Sequence, residues 1–312
     1  MRLVFLGSPD FAVPTLEHIL EAGHQVLAVV TQPDRPRGRG QELAASPVKQ
    51  AAERLGLSVY QPERIKAPEV AEFLASLRPE AMVVVGYGKI IPQTIIDIPP
   101  QGIINVHASL LPKYRGAAPI QWAIANGEVR TGVTTMRIDA GLDTGDILLQ
   151  AEAHIGEEET ALELSERLAS MGAALLVETL RGVEAGGLVP RKQDSSIASY
   201  ARLLTKEDGL ADWTRAAGEI HNRVRGFLPW PGCYAGFRGN LLHIWRTRLS
   251  DPMGGAPGSL HPAKGRLRVT CGPGASLELL ELQLEGRKRM STAAFLNGQH
   301  LLDNEVLGEI SN

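Results

Sequence analysis

The sequence predicts a doubly wound, mostly parallel α/β sheet of Rossmann-like type in residues 1–189, a linker at 190–205, and a smaller β-barrel in residues 206–312. Three observations carry that prediction. At 312 residues the chain exceeds one typical domain and suffices for two, each with its own core. Short apolar runs alternate with helical patterns through the first part, as a parallel sheet with helical crossovers requires. Beyond a Gly-, Pro- and Ser-bearing stretch, Gly186 to Ser199, the pattern changes to short strands punctuated by Gly and Pro.

In chain order, strands are expected at Leu3–Leu6, Val26–Val30, Met82–Val85, Ile103–Val106, Val133–Ile138 and Ile147–Gln150. Met82-Val83-Val84-Val85 is apolar on both faces, the pattern of a central strand covered above and below. Helices are expected at Ala12–Ala22, Pro47–Leu55, Pro68–Leu77, Ala118–Asn126 and Thr160–Leu180. One more, about Leu210–Arg225, and a Pro-Trp-Pro-Gly turn at Pro229–Gly232 precede the β-rich tail.

Composition narrows the class. With 44% hydrophobic and 21% charged residues the chain reads as an ordinary globular protein rather than a disordered one. Its two cysteines, Cys233 and Cys271, lack C-x-x-C spacing, which argues against a disulfide scaffold or a structural zinc site. The apolar run at Met1–Gly7 is too short for a secretory signal and no run approaches membrane-spanning length, so the expected location is the cytoplasm, without a membrane partner. The net charge of −3 hides an asymmetry: Arg215 to Arg289 holds 12 Lys/Arg against 5 Asp/Glu. Arg35, Arg37 and Arg39 form a second basic zone in an otherwise acidic half. Two such zones suit a polyanionic partner.

Open α/β sheets bind ligands beyond the carboxyl ends of their strands, so chemistry is sought there. The first strand runs into Gly7-Ser8-Pro9, without the further glycines of a dinucleotide fingerprint, and no Walker sequence occurs, which sets NAD and ATP aside. Asn105 and His107, two apart at the end of an apolar strand, leave on one face. An amide and an imidazole so placed can polarise a carbonyl and hold the oxyanion formed on attack. The loop Asp139-Ala140-Gly141-Leu142-Asp143-Thr144-Gly145-Asp146 also follows a strand. A carboxylate from it near His107 would favour the imidazolium and could accept a proton. Its aspartate spacing does not match a calcium loop. With no cysteine or G-x-S-x-G element nearby, the set points to direct transfer of a one-carbon or acyl unit onto an external nucleophile.

The run Ser109–Pro119 (SLLPKYRGAAP), preceded by Asn105-Val106-His107 and followed by Gly141-Leu142-Asp143-Thr144-Gly145, resembles the signature of the 10-formyltetrahydrofolate-dependent formyltransferases. The resemblance implies that Asn105, His107 and Asp143 are catalytic. Asn105 and His107 would hold the formyl oxygen, while Asp143 keeps His107 protonated and helps remove a proton from the attacking amine. It further implies a folate donor, 10-formyltetrahydrofolate, lying against Val85, Gly86, Tyr87, Ile90 and Asp139, with Ser109, Leu110, Leu111 and Pro112 as a floor, and no metal. The segment Thr31–Gln41, with Arg35, Arg37 and Arg39, resembles the inserted loop by which methionyl-tRNA formyltransferases sense the end of the acceptor stem; Arg39 stands at the discriminating position. Leu204–Asp208 resembles a stretch whose lysine, here Lys206, lies near the tRNA end. Phe227–Gly232 and the basic tail resemble an OB-like, tRNA-binding carboxyl-terminal domain. The implied activity is formylation of initiator methionyl-tRNA by a monomer. Two departures are an extra arginine at Arg37 and Ala108 where glycine is common.

A relative formylating a small-molecule amine would have no use for either basic zone, and a catalytically dead tRNA binder would not keep all three catalytic positions filled. Trp122 and Trp213 read as packing residues, and His18, His154, His221 and His243 as surface or satisfied side chains.

Overall fold

The computed structural model describes residues 1–37, 42–272, 275–302 and 305–308. Side chains that alternate across an extended backbone divide the apolar residues of the first half into two cores. The chain runs through β1 (Arg2–Gly7), α1 (Val13–Glu21), β2 (Gln25–Val30), a hairpin of β3 (Arg35–Arg37) and β4 (Glu42–Ala44), α2 (Pro47–Arg54), β5 (Val59–Tyr60), α3 (Pro68–Ser76), β6 (Ala81–Val85) and α4 (Gln93–Ile96). It continues with β7 (Ile103–His107), β8 (Arg115–Gly116), α5 (Pro119–Ala125), β9 (Arg130–Arg137), β10 (Ile147–His154), α6 (Ala161–Glu184) and β11 (Tyr200–Ala201). Leu3, Phe5, Val83, Val85, Ile104 and Val106 face residues of α1, α2 and α6. Val4, Leu6, Met82, Val84 and Ile103 face Val70, Leu74 and Ile95 of α3 and α4. Burying a Val, Leu or Phe side chain stabilises by about 1.5–3 kcal/mol, so both faces of the sheet hold the domain together.

The seven-stranded sheet has the order β10-β9-β7-β6-β1-β2-β5. Pairings from β5 through β7 are parallel; β9 runs antiparallel to β7, and β10 to β9. The doubly wound, mostly parallel arrangement expected from sequence is therefore present, with an antiparallel edge. The short elements escaped the sequence reading: β3, β4, β5, β8, β11 and α4 have two to four residues each, too few to show a period. Val59–Tyr60 pairs with the tail of β2, through Val29 and Val30.

By contact, the chain divides into two units. One comprises residues 1–119, 130–154 and 165–202, and the other 120–129, 155–164 and 203–312. Residues 191–202 of the expected linker are bonded into the first unit: Ile147 and Arg191 exchange backbone hydrogen bonds of 2.8 Å, and β11 pairs with β8.

In the second unit, α7 (Ala217–Gly226) begins seven residues later than the helix expected from Leu210. Asp212 explains the delay. Its Oδ1 accepts from Thr214 N at 3.1 Å and from the Thr214 hydroxyl, a local turn that competes with helix. There follow β12 (Cys233–Phe237), β13 (Asn240–Ser250), β14 (Leu260–Ala263), β15 (Arg266–Thr270), β16 (Ser276–Leu284), β17 (Met290–Ser291) and α8 (Thr292–Gly298). The strands pair antiparallel in the order β12-β13-β16-β15-β14. Both open edges meet the chain's tail: Leu307 N donates to Gly258 O at 2.9 Å and Gly236 N to Gly308 O at 2.7 Å. The tail thus closes the sheet into the expected small barrel, around a core that includes Trp213, Phe237, Leu267, Leu279 and Phe295.

His221 of α7 sits 7% exposed, its Nδ1 3.0 Å from the Thr247 hydroxyl. Burial pushes this imidazole below its ordinary value of 6.5, against the pull of Glu158. The unfolded chain therefore takes up a proton near pH 6.5 that the folded one refuses. The stability associated with the neutral ring is present above that pH and is lost as the pH falls through it. We expect the thermal midpoint to drop on acidification below about pH 6.5, and the drop to be shallower in His221→Gln. Calorimetry at a series of pH values measures both; parallel curves would refute the assignment.

Candidate active site

The carboxyl end of β7 carries the polar pair. Val106 points into one core, while Asn105 and His107 leave on the opposite face, 8% and 6% exposed. Neighbouring strands hold them in register: Asn105 lies between Val84 of β6 and Met136 of β9, and His107 beside Thr134. His107 Nε2 is 2.9 Å from the carbonyl of Tyr114. A carbonyl oxygen only accepts, so Nε2 carries the hydrogen and Nδ1 is the nitrogen left for chemistry. Nδ1 lies 3.7 Å from Asp143 Oδ2. Among the described residues the Asn105 side-chain amide has no hydrogen-bond partner, which leaves it available to a ligand.

Asp143 is held in a left-handed conformation, φ 52°, unusual for a residue other than glycine. Its Oδ2 accepts from Gly116 N at 2.8 Å. Gly116 has φ 115°, and a Cβ there would stand 2.7 Å from Ala201 O, so only glycine brings this amide to the carboxylate. The Asp143 carbonyl accepts from Gln193 Nε2 at 2.8 Å.

The residues predicted to meet a folate donor divide into two groups. Gly86 (φ 58°) and the loop after it follow β6 at the same sheet edge as Asn105. Val85 and Tyr87 are buried, while Ile90 is 71% exposed. Burial, with Tyr60 nearby, pushes the Tyr87 phenol up to about 12, which keeps it neutral. A cavity of about 660 Å³ opens here between Tyr87–Ile90, Gln32–Arg35 and Pro62–Lys66; Asn105, His107 and Asp143 do not line it. The second group serves the local framework. Ser109 Oγ donates to Lys113 O at 2.6 Å, and its carbonyl accepts from Thr134 Oγ1 at 2.6 Å. Leu111 packs with Met136 and Ile147, Leu110 approaches Gly132, and the Pro112 carbonyl accepts from Ser199 N. Asp139 Oδ1 accepts from Gly141 N at 3.0 Å and Thr144 Oγ1 at 2.7 Å, closing its own loop.

The arginine segment is stapled at its root. The Thr31 and Ser46 hydroxyls are 2.7 Å apart, and Asp34 accepts from Lys49 Nζ at 2.6 Å and Gln61 Nε2 at 2.7 Å. Those bonds hold the Asp34 carboxyl below its usual range. Gln32 Nε2 donates to the Tyr87 carbonyl at 2.7 Å, tying the segment to the loop after β6. Arg35 is exposed, its guanidinium 3.1 Å from Gln32 Oε1. Arg39 and the side chain of Arg37 lie outside the described residues. Lys206 is exposed in the second unit, and its carbonyl accepts from the Tyr234 hydroxyl at 2.9 Å.

Sequence reasoning missed the supports of this site: the Tyr114 carbonyl, the Gly116 amide, and Gln193. The first two stand inside the signature run, but nothing in that run shows that their backbone groups turn back to His107 and Asp143. Gln193 carried no signal.

Residues 1–180 match the family model described as formyl transferase, and residues 203–300 that of formyl transferase, C-terminal domain. The methionyl-tRNA formyltransferase of Solibacter usitatus (strain Ellin6076) is 64% identical over 310 residues, 99% of each chain. That of Koribacter versatilis (strain Ellin345) is 56% identical over 315 residues, 100% of each. The N-formyltransferase of Helicobacter canadensis, solved with folinic acid and dTDP-3-aminofucose, shares the fold at TM-score 0.67 and 21% identity, covering 89% of this chain and 98% of its own. With both family models matched and a relative this similar over nearly its whole length, the chain belongs to the formyl transferase family, among its methionyl-tRNA formyltransferases.

Proposed function

We propose that the chain transfers the formyl group of 10-formyltetrahydrofolate to the α-amino nitrogen of methionine carried by initiator tRNA, giving formylmethionyl-tRNA for translation initiation. The observation that carries the chemical part is the Asn105 amide beside His107, unbonded among the described residues, with Asp143 facing His107 at 3.7 Å.

The donor supplies an activated formyl carbon whose bond to the folate nitrogen breaks as the bond to the amine forms. Asn105 donates to the formyl oxygen, where negative charge develops. His107, its Nε2 hydrogen committed to Tyr114, can add a second hydrogen bond there only from a protonated Nδ1; Asp143 supplies the compensating charge. Asp143 also accepts, directly or through water, the proton that the amine loses, and that proton passes on to the folate nitrogen, which leaves as the neutral amine of tetrahydrofolate. The residues present fit a folate donor. Gly86 and Tyr87 offer main-chain groups at the sheet edge, and Ile90 an exposed apolar face; Ser109–Pro112 and Asp139 shape the rim. No metal is assigned a part.

Arg35, Arg37, Arg39 and Lys206 are assigned to tRNA phosphates, whose contacts supply affinity and register. The enzyme so read acts as a monomer in the cytoplasm, and no helix of the described residues is long and apolar enough to cross a membrane. If three of these side chains each neutralise a phosphate, counterion release lowers tRNA affinity about 40-fold between roughly 50 and 200 mM salt. Filter binding at several salt concentrations measures the slope; a flat response overturns the tRNA contacts. The test of the function is formyl transfer from 10-formyltetrahydrofolate to initiator methionyl-tRNA, beside uncharged tRNA and free methionine. Transfer to the charged tRNA alone is expected, and equal transfer to free methionine overturns the reading.

A further inference from the structure

We propose that Gln193 is a positioning residue for the transfer, acting through Asp143. The inference rests on the catalytic reading of Asp143 given above.

Residues 191–201 run along the first unit as a strap. Backbone bonds between Arg191 and Ile147 fix one end, and the pairing of Tyr200 and Ala201 with Arg115 and Gly116 fixes the other. Between them the Gln193 side chain turns inward. Its Oε1 accepts from Arg115 Nε at 3.1 Å and Nη2 at 2.8 Å, and its Nε2 donates to the carbonyls of Asp143 and Gly145, both at 2.8 Å. The amide orientation is unambiguous. A guanidinium only donates and a carbonyl only accepts, so the reversed amide would lose all four bonds.

Asp143 needs such a hold. A non-glycine residue at φ 52° persists where its surroundings over-determine it. Gly116 N fixes the carboxylate end of Asp143 and Gln193 the main-chain end, so the residue is clasped twice. The two clasps share one support: Arg115, 2% exposed, grips Gln193 and is the immediate neighbour of Gly116. Strap, signature run and catalytic loop thus meet in one hydrogen-bonded unit. Its loss would displace the Asp143 carboxylate relative to His107 while leaving the loop after β6 and the tRNA-contacting arginines untouched.

The discriminating variant is Gln193→Glu. It keeps the side-chain length and the acceptor for Arg115, but turns carboxylate oxygens toward two carbonyl oxygens where donors stood. We expect kcat to fall about 10- to 100-fold, the scale of a sub-ångström to one-ångström misplacement, with KM for the folate donor and for methionyl-tRNA changed less than about twofold. Because Gln193 acts through Asp143, adding Gln193→Glu to Asp143→Asn should slow the reaction no further. Gln193→Met, which fills the same space without polar groups, gives the same pattern and decides the matter if the glutamate variant does not fold. Parent-like kcat in the folded variants, a rise in KM alone, or losses that multiply in the double variant would each overturn the inference. If Asp143→Asn itself turns over at the parent rate, the catalytic reading fails. If Asp143→Asn is slow and the Gln193 variants are not, only the positioning role fails.

Discussion

Alanine in place of His107 is expected to lower kcat by about 10²-fold or more, the scale of losing a general acid–base group. The geometry argues for a loss in turnover rather than in binding. His107 is 6% exposed, with Nε2 held by the Tyr114 carbonyl and Nδ1 turned to Asp143, so it offers a ligand little surface but one well-placed ring nitrogen. Asn105→Ala should act on the same scale by removing a donor to the developing oxyanion. Asp143→Ala should follow, because it strips His107 of its countercharge and the amine of a proton acceptor. Residues that act as one unit lose their effects together, so the triple variant should be little slower than His107→Ala alone. Single-turnover formyl transfer with saturating donor and methionyl-tRNA reads this directly. Undiminished rates in all three single variants would remove the proposed chemistry and leave only the fold.

How much of this was visible beforehand depends on the physics behind each feature. Met82–Val85 could be read as a central strand because burial on both faces leaves an unbroken apolar run, and β6 is buried along its whole length. The pair at Asn105 and His107 was legible because period-two geometry needs no tertiary information. The partner of His107 Nε2 was not. Tyr114 reaches back seven residues through a left-handed turn, φ 60°, at a tyrosine, where no local preference announces one. Gln193 was less visible still, fifty residues from the carbonyl it holds. Composition reports exposure, and most of Arg191–Tyr200 is exposed, as in a linker. It does not report backbone pairing, and pairing with Arg115 and Gly116 is what makes this stretch part of the site. The second unit repeats the lesson. The helical periodicity from Leu210 was real, but the Asp212 turn captured the chain until Ala217.

Gly145→Ala is expected to reduce kcat by about 10²-fold, although no part of residue 145 is assigned to the reaction. A Cβ built there would stand 1.9 Å from the Arg137 carbonyl oxygen and 2.8 Å from its carbon. Both are backbone atoms at the end of β9, where Arg137 N bonds Asp146 O at 2.9 Å and Met136 pairs with Asn105. Moving that strand would disturb the sheet beneath the site, so the loop from Asp139 to Asp146 must move instead. That loop carries Asp143, and the Gly145 carbonyl is one of the two that Gln193 holds. A shift of about 1 Å suffices to cost 10²-fold in a reaction that depends on placement. Two comparisons separate this account from a general intolerance of glycine replacement. At Gly141 the nearest obstacle is the Thr144 side chain, which can rotate, so Gly141→Ala should be milder. At Gly187 a Cβ meets nothing within 4 Å, and Gly187→Ala should keep the parent rate and thermal midpoint. Steady-state kinetics on the three variants test the order. A Gly145→Ala enzyme as fast as Gly187→Ala would mean that the loop tolerates displacement, and that the distance between Asp143 and His107 does not govern the rate.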